Sequence, residues 1–195
     1  MAERPGLAQV LLIGDSIRMG YQETVGRELA GAAEVWGPAE NGGHSGNVLA
    51  HLQEWALSKP AAVIHVNCGL HDLKREFGAG RTAIPVDQYE ANVRQILQVL
   101  LCQTQARVIW ATTTPVNERW HHERKGFDRF EADVELYNRV ARRVARELGV
   151  RVDDLFAVVM EAGRDRLLGP DGVHFTPEGY QRLGQAVAAA IRGCM

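Results

Sequence analysis

The 195-residue chain has few cysteines, three in all, and none falls in a C-x-x-C or a Cys/His spacing. That leaves no zinc signature and no disulfide framework, so Cys68, Cys102 and Cys194 read as reduced thiols of a cytosolic-type protein. Net charge is also low, at −2. With no basic block, the electrostatic footprint of a nucleic-acid-binding protein is missing. No apolar run approaches the roughly 20 residues that span a bilayer. The opening MAERPGLAQVLLIGDS has no strongly basic stretch before its short apolar run and no small-residue cleavage site. It reads as a first β-strand rather than a signal peptide, which favours a cytoplasmic protein and leaves a trimmed secreted form as the alternative. Repeats, linkers and low-complexity segments are lacking too. Residues 1–195 are therefore expected to form a single domain.

What is present alternates. Val10–Ile13, Val63–Val66 and Val108–Ala111 are short, continuous apolar runs, as in strands covered on both faces of a parallel sheet. Glu34–Trp36 and Val150–Val152 are weaker strand candidates. Between them the hydrophobic period becomes helical. Residues 17–30 place Tyr21, Val25 and Leu29 inward, and Val48, Leu52, Trp55 and Ala56 form a second stripe. Tyr89, Val93, Ile96, Leu97 and Leu100 form a third, and Phe130, Val134, Tyr137, Ala141, Val144 and Leu148 a fourth. Tyr180, Leu183, Val187 and Ile191 form the last, opened by Thr176-Pro177 as N-cap and first-turn proline. Strand–helix alternation of this kind predicts an α/β domain with a mostly parallel sheet. Right-handed crossovers place the strand C-termini along one edge, where ligands bind in open α/β sheets. Residues 70–86 and 115–129 are the longest stretches without a periodic pattern, and long irregular segments in compact domains are functional or mobile.

The strand ends carry the polar chemistry. Ser16 follows the first strand and opens a helix, a position that suits either an N-cap or a nucleophile with an anion-favouring N–H beside it. Asp171 and His174, in DGVH before the last helix, are spaced so that one loop can present a carboxylate to one imidazole nitrogen and leave the other free as a base. A surface turn with a capping Asp is the alternative. Gly42, Gly43 and Gly46 surround His44 and Ser45, and a backbone amide there can serve an oxyanion or a glycine turn. GHSG matches part of the G-x-S-x-G elbow, but Asn47 stands at its final glycine, so Ser45 is disfavoured as nucleophile. A second His–Asp pair, His71-Asp72, stands in GLHDLK after the strand at 63–66.

Taken together, these blocks resemble the SGNH hydrolases of the GDSL esterase/lipase superfamily. LLIGDS resembles the first block, NGGHSG the second, CGLHD the third and DGVHFTPEGY the last, in order along most of the chain. The resemblance implies a flavodoxin-like three-layer α/β/α sandwich with a five-stranded, mostly parallel sheet. It also implies metal-free, cofactor-free hydrolysis of carboxylic esters, with Ser16 as nucleophile, His174 as base and Asp171 as its acid partner. Gly43 matches the glycine whose amide donates to the oxyanion. Asp15, within GDS, and Trp120 join Gly43 and His71 in the candidate oxyanion and substrate-binding set. The departure is His71, which stands where the family usually has the Asn of GxND. A neutral imidazole offers one N–H and can replace an amide donor in kind. Asp72 is then expected to fix the loop or the His71 ring.

For the substrate, NERWHHERKGFDRF is the expected wall. Trp120 and Phe127 are candidates to pack on an acyl chain or sugar ring, and Arg119, His121 and His122 to meet polar groups; a solvated surface loop is the alternative. HHER is not HExxH, so no zinc is expected there. The preferred substrate is a small-acyl ester, such as O-acetyl on carbohydrate. The remaining readings are an acyltransferase on the same residues and a non-catalytic carbohydrate-binding or interaction protein.

Overall fold

A computed structural model describes residues 6–195. In chain order the elements are β1 (Ala8–Ile13), α1 (Ser16–Glu28), β2 (Ala33–Trp36) and α2 (Ser45–Leu52), which runs on into a π-helical turn over Gln53–Leu57. Then come β3 (Val63–Val66), β4 (Arg75–Glu76), α3 (Val86–Gln103), β5 (Arg107–Ala111), α4 (Glu118–Arg124) and β6 (Phe127–Asp128). The chain closes with α5 (Glu131–Glu147), β7 (Arg151–Asp153), α6 (Leu155–Glu161), α7 (Arg164–Leu167) and α8 (Pro177–Arg192).

Five strands form one sheet in the order β2-β1-β3-β5-β7, every neighbouring pair parallel. Val10 to Ile13 and the apolar residues of β3 and β5 are buried, as expected of strands with helices on both faces. On one side α1 packs on α8 and α8 on α6; on the other α3 packs between α2 and α5. The close approach of α1 and α8 depends on glycine. A Cβ at Gly20 would lie 2.1 Å from the Tyr180 ring, and one at Gly184 would lie 2.5 Å from Thr24. The chain runs from β1 outward to β2, then returns past β1 to β3 and onward. Order therefore reverses between β1 and β3, which is where the crevice of a doubly wound sheet opens.

Three expectations are revised. Antiparallel pairing occurs, but in a separate two-stranded ribbon, β4 with β6. That ribbon joins the two segments expected to be irregular, and the second also contains α4, whose start is capped by the Asn117 side chain accepting from Trp120 N–H at 3.1 Å. Phe130 lies outside the buried stripe of α5: it is the capping residue of that helix and 38% exposed, while Val134, Tyr137, Ala141 and Val144 are buried. Among the described residues, no helix is long and apolar enough to cross a membrane.

Candidate active site

Ser16 stands at the first turn of α1, immediately past β1. Asp15 caps that helix, its Oδ1 accepting from Ile17 N–H at 2.9 Å, while its Oδ2 is buried without a partner. The first-turn N–H groups of α1 have no intrahelical acceptor, so the Ser16 hydroxyl lies in a field that favours negative charge. Its Oγ is 2.9 Å from His174 Nε2. On the other side of the ring, His174 Nδ1 is 2.6 Å from Asp171 Oδ2.

The Asp171 carboxyl is held well below the usual carboxylate range. Burial alone would raise it, but hydrogen bonds from the His174 ring and from the backbone N–H groups of Val173 and His174 outweigh that. An ionised carboxylate only accepts, so His174 carries its proton on Nδ1 and turns an Nε2 lone pair to the Ser16 hydroxyl. Lys125 Nζ approaches the same Asp171 oxygen at 3.3 Å.

The other strand-end segments close around Ser16. Gly42 N–H donates to Gly14 O at 3.0 Å, which brings the glycine loop beside the Asp15–Ser16 turn. Gly43 adopts φ +62°, and its N–H donates to Asn41 Oδ1 at 2.9 Å, an acceptor that an incoming oxyanion would have to replace or share. Asn41 therefore shapes this loop. Asn67 is tied by its Nδ2 to Ala111 O at 2.9 Å.

Asp72 belongs to the scaffold. Fully buried, it accepts from Ser45 N–H at 3.0 Å and from the Ser45 hydroxyl, while Asn92 Nδ2 donates to Ser45 Oγ at 2.9 Å. The GLHD loop is thereby bolted to the start of α2, and Ser45 is sealed in the interior. Burial pushes the Asp72 carboxyl up to about 6, against the lowering effect of the Ser45 hydrogen bonds.

His71 is half-buried in the same loop. Burial lowers its pKa, helped by the nearby positive charge of Arg129, His44 and Lys74 and opposed by Asp15. The ring is thus neutral near pH 7 and has one N–H to offer.

The segment after β5 folds over Asp171. Asn117 N–H donates to Gly172 O at 2.8 Å, and His121 Nδ1 lies 3.3 Å from Asp171 O. A Cβ at Gly172 would sit 3.1 Å from Trp120 Cβ, so Trp120 borders the DGVH turn. His121 is buried and lowered to about 4, by desolvation first and then by Arg129. His122 is exposed and pairs with Asp128 at 2.7 Å. Phe127 is flanked by Lys74 Nζ at 4.3 Å and the Arg129 guanidinium at 5.0 Å from its ring centre. Lys125 and Arg129 were not among the residues singled out in the sequence, because a cation in a polar loop carries no local signal of what it faces.

A doubly wound α/β sandwich with a Ser–His–Asp chain at its switch point defines a class of hydrolase-like folds. Residues 12–182 match the GDSL-like Lipase/Acylhydrolase family, and the chain belongs to it. Among its relatives is a GDSL esterase/lipase of Arabidopsis thaliana, 27% identical over 162 residues, covering 74% of this chain and 65% of the plant protein. The chain thus spans just under two thirds of that relative's length. It is also 28% identical over 201 residues to an isoamyl acetate-hydrolyzing esterase 1 homolog of Rattus norvegicus, covering 90% of this chain and 78% of that protein. The lipase/acylhydrolase of Enterococcus faecalis shares the fold with a TM-score of 0.80 and 23% identity, covering 96% of each chain. An acetylxylan esterase of Geobacillus stearothermophilus does so at 0.74 and 18%, covering 94% of each.

Proposed function

We propose that the protein is a serine esterase that hydrolyses carboxylic esters of small acyl groups through an acyl-enzyme. The observation that carries this reading is the continuous chain Ser16 Oγ, His174 Nε2, His174 Nδ1, Asp171 Oδ2, with contacts of 2.9 and 2.6 Å. Ser16 Oγ attacks the ester carbonyl as His174 Nε2 takes its proton. The tetrahedral intermediate collapses, the C–O bond to the alcohol breaks, and the alcohol leaves with the proton from His174. Water, deprotonated by the same nitrogen, then attacks the Ser16 ester and releases the acid. Asp171 holds the tautomer and stabilises the imidazolium.

The oxyanion is met by the Ser16 N–H at the start of α1, by the Gly43 N–H and by the His71 ring N–H. In this reading GLHD is a working variant of the family's third block, with a neutral imidazole in place of an amide. Asp15 supports the turn that carries Ser16, and Trp120 forms a wall beside the Asp171–His174 loop.

A small acyl group fits the lack of a long apolar cap over the site among the described residues. It also fits what the names of its relatives say of them, an acetate ester in one and acetylated xylan in another. The test is hydrolysis of p-nitrophenyl acetate by wild type and Ser16→Ala. Turnover should fall by at least ~10³-fold in the variant, and equal turnover would refute the assignment of Ser16. A panel of acyl chain lengths and acetylated sugars then ranks the substrates.

A further inference from the structure

Arg129 lies beside this site with no counter-ion in contact among the described residues. It is only 6% exposed, yet among the described residues no carboxylate lies within salt-bridge distance of it. One hydrogen bond holds it: Nε donates to Leu70 O at 2.6 Å, at the residue just before His71. Neither Nη has a hydrogen-bond partner among the described residues, and neither is among the buried atoms sealed from solvent. The guanidinium carbon lies over the Phe127 ring, 5.0 Å from its centre.

The surroundings of Arg129 include both carboxylates of the site. Arg129 is influenced by Asp15 and Asp171, and it in turn influences His71 and His121. Contacts agree: its Nε rests on the carbonyl of the residue before His71, and the Phe127 ring beside its guanidinium lies 5.1 Å from the His121 ring, whose Nδ1 is 3.3 Å from Asp171 O. Asp171 is engaged on His174 and Lys125 and Asp15 holds the α1 N-terminus through Oδ1, and among the described residues neither carboxylate is within salt-bridge distance of Arg129. Lys74, 4.3 Å from the centre of the Phe127 ring and paired with Glu76 at 2.7 Å, adds positive charge near His71. Burying an arginine without a partner is unfavourable, and burial lowers its pKa to about 10, which still leaves it charged at neutral pH. A planar guanidinium with Nε occupied and both Nη groups free is shaped to take a carboxylate in two parallel hydrogen bonds.

We propose that Arg129 is an anion-binding residue bordering the Ser16–His174 centre, which takes a carboxylate carried by the ester substrate on its free Nη edge. This deepens, and rests on, the esterase reading, and it names the substrate class as esters that bear a carboxylate on either the acyl or the alcohol portion.

Two ester pairs separate those sources. p-Nitrophenyl hemisuccinate is compared with its neutral methyl ester for the acyl side, and 4-acetoxybenzoate with 4-acetoxybenzamide for the alcohol side. In at least one pair the anionic member should be favoured in kcat/KM by about 10-fold or more, as one charge-assisted bidentate contact allows. Arg129→Gln should bring that ratio close to one, and Arg129→Lys should leave an intermediate ratio. No anionic preference in wild type, or a preference that survives in a folded Arg129→Gln protein, overturns the proposal. Binding of succinate and benzoate to Ser16→Ala, followed by calorimetry, provides a readout independent of turnover. Hydrolysis of neutral acetate esters with no carboxylate binding would leave the esterase standing and remove the anion site. Carboxylate binding that is lost with Arg129→Gln, in a protein that hydrolyses no ester, would do the reverse.

Discussion

The backbone N–H of Asn117 donates to the carbonyl of Gly172 at 2.8 Å, and so docks the start of α4 onto the turn that carries Asp171 and His174. Gly172 has φ +72°, and a Cβ there would lie 2.4 Å from Asn117 O and 2.9 Å from His121 N. The glycine of DGVH is therefore required twice, for its backbone angle and for the space. Gly172→Ala should destabilise the protein by about 2–4 kcal/mol and lower kcat by displacing His174. Thermal melts together with p-nitrophenyl acetate kinetics check this, and an unshifted melt would contradict the packing described.

Asp171→Asn addresses the tautomer. An amide can donate to His174 Nδ1 and leave the proton on Nε2, where it faces Ser16. With the fold retained, kcat should drop by ~10³ to 10⁴-fold. A loss below 10-fold would mean that Asp171 does not orient the ring.

His71 is testable by two substitutions. If its N–H meets the oxyanion, His71→Ala should lower kcat by ~10²-fold or more. His71→Asn, which restores an amide donor, should recover much of that. An alanine variant with full kcat would leave His71 as a packing residue.

Asp72 links stability to pH. Its folded-state pKa is raised from 3.8 to about 6, so the folded state prefers the protonated carboxyl. The resulting stabilisation is fully present below pH 3.8 and is lost as pH rises through 6. Relative to Asp72→Asn, wild type should lose on the order of 2 kcal/mol between about pH 4 and 6. Urea denaturation at stepped pH measures the difference, and parallel curves would show that Asp72 does not titrate in that window.

Much of the fold was legible because it follows from periodicity. Largely apolar, β-branched runs such as Val63–Val66, where His65 is the one polar residue, have one stable use in an α/β chain, and stripes such as Val134, Tyr137, Ala141 and Val144 bury one helical face. Phe130 fell outside its stripe because the N-terminal boundary of α5 is set by where the chain leaves β6, which the hydrophobic pattern does not encode. The short ribbon of β4 with β6 was hidden for a related reason. Two residues on each strand give no alternation to read, and the pairing joins segments far apart in the chain.

The sequence alone determined the strand–helix order, and with it the edge on which Ser16, Gly43, His71, Asp171 and His174 emerge. Chain direction and right-handed crossovers leave little choice there. The family resemblance assigned Asp171 and His174 to the serine, but distance itself is something local spacing cannot express. Only the tertiary structure sets His174 2.9 Å from Ser16 and buries Asp72 against Ser45 instead. It alone shows Arg129 enclosed with no carboxylate in contact among the described residues, because the state of a buried charge depends on the neighbours that folding brings to it or withholds.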